Sequence, residues 1–429
     1  MNQTLKTGSD GRLLIGGLAA SDIAGQYGTP VYIVDEDAIT AACGAFTTAL
    51  AKHYPGNARA AFASKALCFT YIYRVVQKCG FAADVASSGE AYTALRAGMN
   101  PEDLIFHGNN KTLSDLEYAL ENKIGRIVVD NFTELSTLDA LCERLGKTAN
   151  IALRLNPAVN AQTHEFVRVG GIDSKFGFAI GTGDALAAVR TALASKRLKL
   201  GGIHCHIGSQ IMDSEPFEFA AQIMVTFMKR VLDETGYLLK ELNLGGGFGV
   251  RYTDKDAPRG IEDAVRTAAE TVVKTATELD FPLPLLMLEP GRSIVAEAGI
   301  TVYTVGSVKE IPGVRTYVAV DGGMGDNPRY ALYGAKYDAV LADNPHAPRT
   351  RAVTVAGRNC EADTLIKDIA LPELKPGDLL CVLTTGAFNY SMASNYNRVP
   401  RPPVVMVKGG ETFVAVRRET FEDLTRCDL

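Results

Sequence analysis

The stretch ARAAFASKALCFTYIYRVVQKCGFAADVASSGEAYTALRAGMNPEDLIFHGNNKTLSDLEYALENKIGRIVVD, residues 58–130, decides the fold. Its runs of strand length, Ala58–Ser64, Phe81–Ala86, Asp103–His107 and Arg126–Asp130, are apolar without two-residue alternation, the pattern of strands buried on both faces. Amphipathic helical stretches such as GEAYTALRAG and TLSDLEYALENK stand between them. The alternation continues through Asn150–Leu155, Leu198–Ile207, Lys240–Gly246 and Leu283–Leu288, with PFEFAAQIMVTFMKRVLDETG among the intervening helices. Eight such repeats predict a closed parallel (β/α)8 barrel of the α/β class, entered through a helix over Asp35–Lys52.

Outward from the barrel the texture changes. Beyond Gly299, ITVYTVGSVKE, RTYVAVDGG, RAVTVAGRN, DLLCVLTTG, PPVVMVKGG and TFVAVRR are β-branched runs broken by Gly and Pro, which predict a separate β-rich domain. The strand-like pieces RLLIGG and PVYIV near the N-terminus are expected to join it, so the barrel is assigned residues 36–297 and the β-rich domain residues 1–35 together with 298–429. A length of 429 residues accords with two cores.

Composition narrows the function. With 47% apolar and 22% charged residues the chain reads as globular, and a formal charge of -5 with mixed signs provides neither a nucleic-acid patch nor a polybasic membrane tether. No apolar run reaches the ~18 residues of a membrane span, and the polar start MNQTLKTGSDGRL is unlike a secretory signal, so a cytoplasmic enzyme of small molecules is expected. Eight scattered cysteines without a CxxC pair read as reduced thiols.

In a barrel the informative residues are polar ones at strand C-terminal ends. Ser64-Lys65, Asp84, His107, Asp130, Arg154 with Asn156, His204 with His206, and Glu289 all fall there; His107 and Asp130 individually read as structural. The seventh strand runs into Gly245-Gly246-Gly247-Phe248-Gly249 and the eighth into Glu289-Pro290-Gly291-Arg292-Ser293, the two loops where barrels tend to hold phosphate on backbone N–H groups. Lys65, within AAFASKAL, is either a snorkelling residue or a buried amine. An amine and a phosphate cradle on one barrel face together point to pyridoxal phosphate, with Glu289 facing its ring nitrogen. His204 and His206, two residues apart, share a strand face; a zinc site would need a third ligand, whereas an aromatic lid on the cofactor does not, so no metal is assigned.

ASKA (63–66), DVASSGE (84–90), HCHIGSQ (204–210), GGGFG (245–249), EPGRS (289–293), NCEADTL (359–365) and GAFNYSMASNYN (386–397) together resemble the diaminopimelate decarboxylase family, in order and spacing, from about Thr29 to Pro403. The resemblance implies an alanine-racemase-like barrel with a C-terminal β domain. The implied activity is pyridoxal-phosphate-dependent conversion of meso-diaminopimelate to L-lysine and carbon dioxide, by a homodimer with shared active sites. It also implies a Schiff base on Lys65 and a ring stacked by His206. Asp84, Ser209, Gly246, Gly247, Glu289, Gly291, Arg292 and the Phe388 position are implied as further cofactor contacts. Arg292, Arg329 and Tyr333 are implied to hold the substrate's distal carboxylate, Glu361 its distal amine, and Cys360, entering from the other subunit, to protonate the carbanion.

Phe388 departs from the pattern, because the family usually has Tyr there with its hydroxyl on the cofactor phosphate. Three alternatives accompany the assignment. A sibling decarboxylase of ornithine, arginine or carboxynorspermidine typically carries Asp at the Glu361 position and has no need of Arg329; an alanine-racemase-type activity fits the CEAD segment less well. A non-catalytic cofactor-binding regulator would be expected to have lost Lys65 or Cys360, and both are present.

Overall fold

The computed structural model describes residues 4–159 and 174–429. The chain divides into two compact units, one of residues 42–249 and 258–293, the other of residues 1–41, 250–257 and 294–429.

The first unit is a closed parallel barrel. Its strands are Ala58–Ala63, Ala82–Val85, Leu104–Phe106, Arg126–Val129, Ala149–Asn156, Leu198–His204, Glu241–Asn243 and Leu285–Leu288. Each pairs in parallel with the next, and the eighth pairs with the first. Closure leaves no free edge. The interior layer of Ala61, Ala82, Ile105, Val128, Ala152 and Met287 mixes small with large side chains, so the centre is packed rather than hollow.

Local sequence chemistry sets the crossings. Ser87 accepts from the Glu90 N–H to open Ser88–Ala97, Asn131 does the same for Phe132–Leu145, and Thr112 with Asp115 forms a capping box for Leu113–Glu121. Gly98, Gly146 and Gly236 close helices in the left-handed conformation that residues with a Cβ avoid. The sixth strand ends at His204, three residues before the expected Ile207, because the chain turns through Gly208 at φ +150°. His204 and His206 therefore do not share a strand face.

In the second unit a mixed sheet runs in the order Thr364–Leu371, Arg351–Ala356, Arg315–Val320, Gly299–Ile311, Val31–Asp35, Val404–Lys408, Glu411–Val416. The long Gly299–Ile311 strand pairs first with Val31–Val34 and then with Arg315–Val320, and Leu379–Val382 joins it to Ala339–Leu341. Leu13, Ile15, Val31, Ile33, Val302, Val405 and Val407 are fully buried in the core of this unit. Thr364–Leu371 and Ala339–Leu341 were not among the expected strands. The first is interrupted by Lys367 and by Asp368 at φ +54°, where its register shifts, and the second has only three residues.

Lys111 braces the barrel mouth. Its ammonium donates to the Gly108 and Val128 carbonyls (2.9 and 2.7 Å) and to Glu134 (2.7 Å), tying the loop after strand three to the end of strand four. Burial pulls Lys111 down and pushes Glu134 up, and each charge opposes the other's shift. Lys111→Met leaves Glu134 buried and unpaired, so unfolding free energy is expected to fall by about 3–5 kcal/mol. Urea titration checks this, and an unmoved midpoint contradicts it.

Candidate active site

Glu289, the residue after strand eight, is buried and takes three side-chain donors from three other strands. His107 Nε2 and Asn243 Nδ2 reach Oε1 at 2.8 and 2.7 Å, and His204 Nε2 reaches Oε2 at 3.1 Å. Burial favours the neutral acid, but His107 and His204 oppose it and win, holding the Glu289 carboxyl well below the usual range. Burial pushes His204 down to about 3, so it is a neutral donor at pH 7. The carboxylate is thus the anion of this network. Asp84 lies beside it, with Oδ1 3.8 Å from His107 Nε2, and burial raises its carboxyl.

His107, expected to be structural, is thus part of the site, and Asn243 escaped attention although it ends strand seven. The same polar-strand-end signal marks both. The zinc alternative also changes: the third ligand-type group that the His204/His206 pair lacked is supplied to His204 by His107, and one atom from each of His107, His204 and Glu289 lies within 4.8 Å of the others. Their spacing is that of ring N–H donors on a carboxylate.

His206 stands apart from this trio, where its Nδ1 accepts the Gly246 N–H at 3.2 Å. That bond assigns the ring proton to Nε2. Burial, with Lys65 and Arg154 as further causes, holds His206 well below its usual value and therefore neutral. Lys65 lies in the short turn Ser64–Ala66 after strand one, exposed between two buried neighbours. The buried-amine alternative is corrected accordingly: the Lys65 amine stands in the open at the end of its strand.

The glycine turn is built by close backbone crossings. A Cβ on Gly246 would overlap the Glu289 carbonyl, one on Gly247 the Gly208 carbonyl, and one on Gly245 would stand 2.5 Å from the Cys205 carbonyl. Gly291 packs on Ala63, and Arg292 Nη2 donates to Ser209 Oγ at 2.8 Å. The Ser293 Oγ is buried without a partner among the described residues, and the Gly247 N–H donates to no backbone carbonyl among them. Backbone N–H groups of a glycine turn beside an arginine suit a phosphate, and an exposed lysine with a buried anionic carboxylate suits a pyridine aldehyde. The residues present fit pyridoxal phosphate.

The second unit holds a buried arginine of its own. Arg329 opens the short helix Arg329–Tyr333, and its Nη1 donates to Tyr337 Oη at 2.7 Å, which in turn meets Asn389 Oδ1 at 3.3 Å. The guanidinium lies 5.1 Å from the Tyr252 ring centre, 5.7 Å from Tyr337 and 5.6 Å from Phe388. Among the described residues no carboxylate pairs with it. Tyr333 is 67% exposed, Cys360 and Glu361 are exposed on one turn, and Phe388 sits at φ +69°. Tyr252, Tyr337 and Asn389 were not foreseen, since nothing in their local sequence marks them as partners of Arg329.

Fold and site define a barrel made for a phosphorylated aldehyde cofactor, and the comparisons name the class. Residues 36–296 match the family described as pyridoxal-dependent decarboxylase, pyridoxal binding domain. The chain is 46% identical over 430 residues to the diaminopimelate decarboxylase of Bacillus subtilis, covering all of this chain and 98% of that one. It is 41% identical to the Staphylococcus aureus enzyme of that name, over 98% of each. Among solved structures, diaminopimelate decarboxylase from M. jannaschii in complex with L-lysine superposes with a TM-score of 0.93 at 34% identity, covering 100% of this chain and 98% of that one. The Helicobacter pylori enzyme, also complexed with L-lysine, superposes at 0.85 and 32% over 95% and 98%. The chain belongs to the diaminopimelate decarboxylase family of pyridoxal-dependent decarboxylases.

Three side-chain donors anchor the Glu289 carboxylate. Glu289→Gln keeps the size but removes the anion, so kcat is expected to fall at least about a hundredfold with KM changed far less. Steady-state kinetics checks this, and equal losses in kcat and substrate affinity contradict it.

Proposed function

We infer that this chain decarboxylates meso-2,6-diaminopimelate to L-lysine and carbon dioxide, the last step of lysine biosynthesis, with pyridoxal phosphate as cofactor. The observation that carries the substrate choice is Arg329, a buried cation that pairs with no acid among the described residues. An unmatched guanidinium is costly to bury, and a substrate carboxylate removes that cost; ornithine and lysine have no second carboxylate to offer.

When bound, pyridoxal phosphate supplies the electron sink that lets the α-carboxylate depart. Lys65 holds it covalently, and Gly246, Gly247, Gly291, Ser209 and Arg292 hold its phosphate. Glu289, kept anionic, would hold a proton at the ring nitrogen, and neutral His206 and Asp84 would line the site. Arg292, Arg329 and Tyr333 bind the distal carboxylate and Glu361 the distal ammonium, so that the carboxylate to be lost is the one at the reacting end. Cys360 Sγ delivers the proton that replaces it.

On this reading residues 36–297 supply the cofactor's anchors together with Arg292, and residues 1–35 with 298–429 supply the other substrate contacts, Phe388 and the proton donor. The working form is a homodimer in which Cys360 serves the partner's site, in the cytoplasm; no helix among the described residues is long and apolar enough to cross a membrane.

Arg329→Met is expected to raise KM for meso-diaminopimelate at least about thirtyfold, the cost of one charge-assisted pair. Release of carbon dioxide from ornithine in preference to meso-diaminopimelate by the unaltered protein would overturn the substrate choice. Phe388→Tyr restores one hydroxyl toward the phosphate and is expected to tighten cofactor binding by about tenfold or more, the worth of a bond to a charged group. Equilibrium titration of the apoprotein measures it, and an unchanged Kd contradicts the assignment of Phe388.

A further inference from the structure

Asp363 is a buried carboxylate that none of the steps above uses. Its Oδ1 accepts the Met324 N–H at 2.7 Å, and its Oδ2 accepts both the Asn359 N–H at 2.9 Å and Asn359 Nδ2 at 2.7 Å. The space it occupies exists because residues 323 and 357 are glycines: a Cβ on either would overlap Oδ2. The backbone folds around it as a compact turn, with the Gly357 N–H on the Asp363 carbonyl (2.8 Å), the Glu361 N–H on the Asn359 carbonyl (2.9 Å) and the Asp363 N–H on the Glu361 carbonyl (2.7 Å). Cys360 and Glu361 are the exposed tip of that turn.

Two further bonds fix the frame. The Cys360 N–H donates to Asn397 Oδ1 at 2.8 Å, from a residue held at φ +52°. The Ser394 N–H donates to the Gly325 carbonyl at 2.8 Å, joining the segment that carries Phe388 and Asn397 to the one that leads from Met324 to Arg329. Two stretches, 322–329 and 357–363, meet at this carboxylate, and a third, 386–397, is bonded to both of them beside it; each carries a residue assigned to substrate or cofactor.

We propose that Asp363 and Asn397 are positioning residues for decarboxylation: Asp363 sets the Cys360–Glu361 tip in register with the Arg329 segment, and Asn397 sets the backbone of Cys360 alone. The proposal rests on the roles given above to Arg329, Cys360 and Glu361. A carboxyl group accepting three N–H bonds on its two oxygens is a stiff anchor, and an amide is not its equal, because its NH2 end must face a donor. Catalytic geometry is sensitive to misplacement on the ångström scale, so the anchor acts through the groups it holds.

The two variants separate by what they disturb. In the full-length holoenzyme, Asp363→Asn is expected to lower kcat at least about tenfold and raise KM for meso-diaminopimelate at least about threefold, with the cofactor Kd unchanged. Asn397→Ala is expected to lower kcat with KM unchanged. Alkylation of Cys360 by iodoacetamide, mapped by mass spectrometry, is expected to change at least about threefold in both, while exposed Cys427 serves as the internal reference and does not change. Kinetic constants within about twofold of the parent and an unchanged Cys360 alkylation rate in Asp363→Asn overturn the proposal. If that variant does not fold, unchanged kcat and Cys360 alkylation in Asn397→Ala overturn it instead. Full turnover by Cys360→Ser would sink the assignment of the acid while leaving the alkylation results to judge the anchor.

Discussion

The barrel mouth depends on one buried carboxylate receiving donors from three strands. His107 follows the end of strand three, His204 ends strand six and Asn243 ends strand seven, and all three converge on Glu289 after strand eight. A buried anion would ordinarily take up a proton; here the donors compensate the lost hydration, so the charge persists. The same contacts hold four strand ends in register around the place where a cofactor ring would lie. Electrostatics and architecture are one constraint, which is why the polar residues of an otherwise apolar barrel gather at this end.

The two units solve different problems. The barrel offers a rigid anion, an exposed amine and a glycine turn whose close crossings leave backbone N–H groups accessible. The β-rich unit offers a desolvated cation in a cage of Tyr252, Tyr337 and Phe388, and a turn that displays Cys360 and Glu361. The aromatic cage keeps Arg329 in place without neutralising it, which leaves its charge for a ligand. Phe388 supplies one ring of that cage.

Periodicity made the barrel legible. Eight apolar runs at regular spacing correspond to the eight strands, with ends displaced by a few residues where turns such as Gly208 intervene. The β-rich unit was legible where strands are continuous and illegible at Thr364–Leu371, whose Lys367 and Asp368 break the apolar run at a bulge that only its partner strand explains. Lys65, the glycine turn and Glu289 could be chosen from sequence because chemistry demands rare residue types at strand ends. His107 was set aside because one histidine looks like any other until Glu289 is seen 182 positions away. Asp363 meets the Met324 N–H 39 positions away and Asn389 meets Tyr337 52 positions away, and no local pattern announces such pairings.

Borohydride reduction of the holoprotein followed by peptide mapping tests most directly whether this barrel mouth is the cofactor site. The account predicts a single reduced pyridoxyl label on Lys65. A label on any other lysine, or no label, would contradict it.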